Sequence, residues 1–426
     1  NSVGTLTEYV GFNTIGLYNQ SGGSNTFGVL GLGENSGSTG TYVLSGSASI
    51  SGAGEVIGDF SAPGVFVQSG GTNNLDFAGE YVDLGLNTQS TGTYFLIAGS
   101  LTSGVESVGY SGMGDFNQTG GTNTMGAAGT LYVGQNSTAT GTYLLSGTAS
   151  LSVGNEYVGS SGVGTFNQSG GRNTIAGTFS IGSLGRYNLT GGTLTVMGGG
   201  IVNAGGSLII QSAGQLNLAD STLLVNYKAG SDPITSIVSY LASGYNNGTW
   251  NGVGINSSTV AGLNASQGAL VYAIGYADGA DGITGVPSGE IEILPTLAGD
   301  AKLQGTVNFG DFQLLAEYFG HTGTTWDEGD FTYNGTTNFG DFQLLAQNFG
   351  ANSSALTAAE FSGLNSFAAQ FGDQILANPD GVGFELVSVP EPASAALLTA
   401  AGALLLSRRS RSKRRHQRHP LLTQDR

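Results

Sequence analysis

From Gly16 onward one beat recurs: a glycine, a spacer, an aromatic, a spacer, Gln or Leu, a small residue and a closing glycine. It reads GLYNQSGG at Gly16, GTYVLSGS at Gly40, GVFVQSGG at Gly64 and GTYFLIAGS at Gly92. It returns as GDFNQTGG at Gly114, GTYLLSGT at Gly141, GTFNQSGG at Gly164 and GRYNLTGG at Gly185. The steps between first glycines are 24, 24, 28, 22, 27, 23 and 21 residues. Units this short cannot each enclose a core, so they must stack on one another.

A second beat lies between these: EYVG at Glu8, EVIG at Glu55, EYVDLG at Glu80, ESVG at Glu106, LYVG at Leu131 and EYVG at Glu156. With period-two geometry the aromatic and the Gln or Leu of the first beat share one face. Two or three short strands per unit, each followed by a glycine corner, predict one coil of a right-handed parallel β-helix. A β-propeller is the rival, because the doubled unit from Gly22 to Gly70, Gly120 and Gly170 runs 48, 50 and 50 residues. The expected fold class is mainly β: a solenoid over residues 1–230, then a small β-rich cap or connecting module over 231–298. Within that module Pro233 to Tyr245 has a helix-length apolar pattern, with Asp232 and Pro233 suited to its start. Strand-like runs follow around Thr249–Ile255, Ala269–Tyr276 and Glu290–Leu294.

Glycine is abundant, 75 of 426 residues, without a Gly-X-Y period, so it signals tight turns rather than collagen. No cysteine is present, which excludes disulfides and thiolate chemistry. The net charge of −17 conceals an asymmetry: eight of the 12 basic residues lie from Arg408 onward. Before that point only Arg172, Arg186, Lys228 and Lys302 are basic, and so acidic a body repels nucleic acid. The chain opens on Asn1 with the repeats following at once. A removed signal peptide, or further coils upstream, is expected.

Residues 299–350 carry a sharper repeat, GDAKLQGTVNFGDFQLLAEYFG from Gly299 and GDFTYNGTTNFGDFQLLAQNFG from Gly329. Each is a glycine-turned loop followed by an apolar helix, and the pair resembles the type I dockerin module with its EF-hand-like loops. The resemblance implies calcium ligands at loop positions 1, 3, 5, 9 and 12. In the second loop these are Asp330, Thr332, Asn334, Asn338 and Asp341, with Gly335 at the turn; two carboxylates imply weak binding. In the first they are Asp300, Lys302, Gln304, Asn308 and Asp311, and Lys302 puts a cation where calcium would sit. A cohesin-like partner is implied by the same resemblance.

Residues 351–388 read as a linker, partly helical between Thr357 and Leu376. The terminus, 389–426, resembles a PEP-CTERM sorting signal: Val389, Pro390, Glu391 and Pro392, an apolar run from Ala393 to Leu406, then Arg408, Arg409, Arg411, Lys413, Arg414 and Arg415. It implies transient membrane insertion, cleavage by an exosortase-type peptidase, and the basic cluster as a cytoplasmic stop. The repeat region resembles autotransporter-like β-helices.

No opposed carboxylates suited to glycoside hydrolysis stand out, and no His precedes His321. Glu55, Glu80, Glu106 and Glu156 recur at one place in their coils and are expected to form a column. Like charges about 5 Å apart repel, so the column should be an exposed acidic edge or a cation-bridged ladder. Asn25, Asn73, Asn123 and Asn173 are expected at corners. The expected function is an exported, non-catalytic structural or adhesion protein of the cell surface or matrix, contacting polysaccharide or envelope components, without nucleic acid. The alternative is an extracellular polysaccharide-degrading β-helix enzyme tethered through the dockerin-like pair.

Overall fold

A computed structural model describes residues 6–75, 80–228, 230–352, 357–378 and 382–389. The chain is mainly β, 45% strand and 16% helix, and forms two compact units, residues 1–354 and 355–426.

The first unit is built on a parallel β-solenoid of about nine turns. Every strand of one coil pairs in parallel with its counterpart in the next, which removes the propeller. The aromatic strands run in register, Gly16↔Gly40↔Gly64↔Gly92↔Gly114↔Gly141↔Gly164↔Gly185. In some coils a second, shorter strand follows, as in Ser24–Thr26 and Ser49–Ser51, and in others the aromatic strand runs on through it, as in Pro63–Asn74 and Val163–Ile175. A third stretch carries the Glu-Tyr-Val type of beat, as in Thr7–Val10, Gly54–Ile57 and Asn155–Val158.

The recurring glycines are required by sterics at the corners. A Cβ at Gly64 would stand 2.3 Å from the Leu32 carbonyl oxygen and 2.4 Å from the Gly58 nitrogen. Gly58 itself has φ +82°, a conformation that L side chains rarely adopt. One glycine therefore turns the chain and the other lets the adjacent coil approach it.

Alternation turns the aromatic of each beat inward. Tyr42, Phe66, Tyr94, Phe116, Tyr143, Phe166 and Tyr187 are fully buried. Their rings form one continuous stack, with centroids 4.6 to 5.2 Å apart and planes within 2° to 9° of parallel. The column is enforced by the in-register pairing, since identical strand positions repeat at the inter-strand spacing.

Residues 231–298 continue this sheet. Strand Gly254–Asn256 extends the second face in parallel from Gln215–Asn217. Strand Glu290–Leu297 runs antiparallel beside Leu223–Asn226 and beside Tyr272–Asp278. Helix α1 (Ile234–Tyr245) forms as expected, with the Asp232 carboxylate accepting the Ile234 N–H at 2.8 Å. Helix α2 (Ser258–Gln267) lies between the expected strand runs, where no helix was expected, and the Ser257 hydroxyl caps it by accepting the Val260 N–H at 3.0 Å. These elements cover the last coil, whose open strand edge would otherwise invite pairing with another chain.

Two loop–helix units follow. Helices α3 (Phe309–Tyr318) and α4 (Phe339–Asn348) each begin with a reciprocal cap, Asn308 with Asp311 and Asn338 with Asp341. Leu315 and Leu345 are fully buried, and the Phe312 and Phe342 rings meet at 6.1 Å.

In the second unit the expected linker is folded: helix α5 (Ala358–Ala369) is followed by an antiparallel hairpin, Asp373–Ala377 with Phe384–Ser388. Val389 ends the described chain. Pro390, Glu391, Pro392, the apolar run and Arg408, Arg409, Arg411, Lys413, Arg414 and Arg415 lie outside the described residues. Among the described residues no helix is long and apolar enough to cross a membrane.

Candidate functional site

The acidic column does not form an exposed edge. Glu55, Glu106 and Glu156 are 0–1% exposed, inside the solenoid. Nor are they neighbours: the register runs Glu8↔Leu30↔Glu55↔Val82↔Glu106↔Leu131↔Glu156↔Phe179. Each glutamate is separated from the next by an apolar residue, so the charges lie two coils apart. Glu80 stands outside this column, one residue before the strand Tyr81–Leu84.

The same alternation governs two more columns, Gln20, Leu44, Gln68, Leu96, Gln118, Leu145, Gln168, Leu189 and Asn25, Ile50, Asn73, Leu101, Asn123, Leu151, Asn173, Leu194. Two kinds of coil therefore alternate. One brings Tyr and Glu inward, and the other brings Gln and Asn. Glu55 from one coil, Asn73 and Gln68 from the next, and Tyr94 from the third form a closed set. Asn73 Nδ2 donates to Glu55 Oε1 at 2.8 Å and to the Tyr94 hydroxyl at 3.2 Å, and that hydroxyl donates to Gln68 Oε1 at 2.6 Å. Gln68 Nε2 then reaches the Ser100 carbonyl at 2.9 Å. Glu106, Asn123, Gln118 and Tyr143 repeat the set, as do Glu156, Asn173, Gln168 and Tyr187. Asn25, Asn73, Asn123 and Asn173 are thus interior links rather than corner residues. The corner role falls partly to Asn35, which donates to Asn13 Oδ1 at 2.9 Å.

Burial raises Glu55 and Glu156 to about 8, against the lowering effect of their Asn donors. Glu106 rises only to about 7, because the Ser103 hydroxyl adds a second donor at 2.8 Å. In the Glu55 and Glu156 sets one carboxyl oxygen and the Asn carbonyl oxygen are both buried without a donor. A single proton on the carboxyl supplies the hydrogen that such an acid–amide contact lacks.

The second loop brings its five expected ligands onto one short segment. Asp330 accepts the Asn334 and Gly335 N–H groups at 3.1 and 2.7 Å, and Asp341 accepts those of Thr332 and Asn338, both at 2.9 Å. The Thr332 hydroxyl points to Asp330 Oδ1 at 3.4 Å. Asn334 Oδ1 accepts from the Thr336 N–H and Asn338 Oδ1 from the Gly340 N–H, at 2.9 and 2.8 Å. Burial, and after the backbone donors the charge of Asp341, take Asp330 up to about 6. This oxygen set fits a weak calcium site, its carboxylate oxygens keeping lone pairs beyond those given to the backbone. The first loop does not fit: the Lys302 ammonium lies over Gly310, where a Cβ would stand 2.7 Å from it. Among the described residues no group of three or more His, Asp or Glu side chains is arranged to hold a metal ion.

Beyond the solenoid, a cleft of about 540 Å³ opens among Asn247, Thr249, Asn251, Ala261, Asn264 and Leu270. Its polar groups are amides and a hydroxyl. Comparisons with family models, with curated proteins and with solved structures return no match.

Proposed function

We propose that this is an exported, surface- or matrix-associated structural or adhesion protein whose solenoid serves as a non-catalytic stem. One observation carries the reading: the carboxylates that recur along the repeats are spent inside the core as links between coils. They are therefore shut away from any substrate on the solenoid's outer faces. The tail, through Val389, Pro390, Glu391 and Pro392, would hand the exported chain to an exosortase-type peptidase. Its basic cluster would hold the transient membrane segment. The second loop would take calcium weakly through Asp330, Thr332, Asn334, Asn338 and Asp341. Extracellular polysaccharide or another envelope component is the partner that a long, regular, hydroxyl- and amide-rich surface suits.

The test pairs two measurements on the purified chain. Co-sedimentation with a panel of insoluble neutral and acidic polysaccharides should show retention, and reducing-sugar release on the same panel should stay at background. Turnover abolished by one Asp or Glu substitution would replace this reading with the alternative, a polysaccharide-degrading β-helix enzyme.

A further inference from the structure

Strand Tyr272–Asp278 is the last of its face: it pairs antiparallel with Glu290–Leu297, and among the described residues no strand pairs with its other side. Antiparallel geometry sends the N–H and C=O of every second residue to that free edge. Left open, such a row of donors and acceptors is a template on which another chain can pair. Here side chains occupy it. The Asn264 amide of α2 meets Tyr272 as a neighbouring strand would. Its Nδ2 donates to the Tyr272 carbonyl and its Oδ1 accepts the Tyr272 N–H, both at 2.8 Å. Two residues on, the Tyr333 hydroxyl donates to the Ile274 carbonyl. Two residues back, Asn348 Nδ2, at the end of α4, reaches the Leu270 carbonyl at 3.2 Å and the Ala298 carbonyl at 2.9 Å.

Two of these three stoppers come from the loop–helix pair, and both of its loops are shaped to reach the strand. Leu303 and Tyr333 hold the same loop position, three residues after Asp300 and Asp330. Both have left-handed backbones, φ +56° and +57°, although neither is the Gly or Asn that adopts this conformation readily. Leu303 lies against Gly275, where a Cβ would stand 2.4 Å from the Leu303 Cδ2, and Tyr333 is 8% exposed. The Tyr333 ring meets Tyr245 at 5.0 Å, Trp250 at 5.4 Å and Trp326 at 5.6 Å. Trp326 Nε1 in turn donates to the Asp300 carbonyl at 2.8 Å, so the two loops are locked to each other as well as to the cap.

We propose that the loop–helix pair is a plug on this strand edge, keyed by Tyr333, which keeps a second copy of the chain from adding its own strand there. The partner of the pair is then the chain's own strand Tyr272–Asp278 rather than a separate docking protein. The plug needs no metal in the second loop and does not rest on the stem reading.

Trp250 and Trp326 are the chain's only tryptophans and both touch Tyr333, so their emission reports whether the plug is seated. The whole chain is compared with Tyr333→Ala by tryptophan fluorescence and by light scattering over a dilution series, with far-UV circular dichroism to show that the solenoid is kept. Tyr333→Ala should red-shift the emission and at least double the apparent mass as concentration rises. Tyr333→Phe loses only the hydroxyl and should associate more weakly; it supplies the same comparison should the alanine variant lose the solenoid's signal. Adding Tyr272→Lys to Tyr333→Ala puts a charge on the opened edge strand and should return the mass to that of the parent. A red-shifted variant with the parent's mass at every concentration overturns the proposal, and so does association that survives the lysine. Emission and mass unchanged in Tyr333→Ala overturn it too, because the pair would then stay seated without its key.

Discussion

Replacing Glu55 and Glu156 by Gln should flatten the pH dependence of the solenoid's stability. In the folded chain burial holds both carboxyls at about 8 and Glu106 at about 7, against an ordinary value of 4.5. A folded pKa above the unfolded one means that the folded state retains the proton longer. The stabilisation is therefore complete below about pH 4.5 and is lost as pH rises through 7 to 8. Between about pH 5 and 9 the loss amounts to about 4 kcal/mol for each of Glu55 and Glu156 and about 3 kcal/mol for Glu106. These groups are shielded from solvent, so screening removes little of it. A Gln side chain still accepts from Asn73 or Asn173 and offers its own N–H to the unpartnered Asn oxygen. It thus copies the protonated acid without an ionisation step. Denaturation midpoints in urea, read by far-UV circular dichroism at pH 5, 7 and 9, should fall steeply for the parent and much less for Glu55→Gln/Glu156→Gln. The variant should overtake the parent at pH 9. Asp83 and Asp330, raised by burial to about 6, contribute the same slope to both chains and cancel in the comparison. A parent midpoint that is flat from pH 5 to 9, or a variant that declines as steeply, would refute the buried-acid account.

Tyr94→Phe should cost about 1–3 kcal/mol by stranding Gln68 Oε1, and adding Gln68→Leu should recover much of it, since Leu44 and Leu96 already occupy that column. Denaturation of the single and double variants measures the difference. Gly64→Ala should prevent close stacking of adjacent coils, because its Cβ would stand 2.3 Å from the Leu32 carbonyl. Loss of the β signature or of soluble yield, compared with Gly22→Ala, whose Cβ would meet nothing nearer than the Ser47 hydroxyl at 3.9 Å, checks this.

The coil was legible because its two signals are local: a glycine wherever the backbone must turn or be approached, and a period of two between corners. The helices α3 and α4 were legible for a similar reason, since the repeated Asn-Phe-Gly-Asp encodes the cap itself. The fate of the glutamates was not. Glu55 and Glu80 look equivalent in sequence, yet the unequal steps between coils put Val82, not Glu80, opposite Glu55. The clue was present in the composition of the beats. From the second beat on, where the aromatic is Tyr the partner position is Leu, in Tyr42, Tyr94, Tyr143 and Tyr187, whereas the first beat pairs Tyr18 with Gln20. Where it is Phe, the partner position is Gln, in Phe66, Phe116 and Phe166. From Tyr42 on, a hydroxyl that lacks a polar neighbour on its own strand must find one on the next, which places the Gln inside and implies partners for the Asn as well.

The strict alternation of coils also limits how this protein can change length. Removing a single turn would set one Gln-and-Asn coil directly against another, with no tyrosine between them and no glutamate to receive the amide. Removing two would leave every contact intact. Growth or shrinkage of the stem by recombination should therefore proceed in double turns of about 50 residues, the distance from Gly70 to Gly120 and from Gly120 to Gly170.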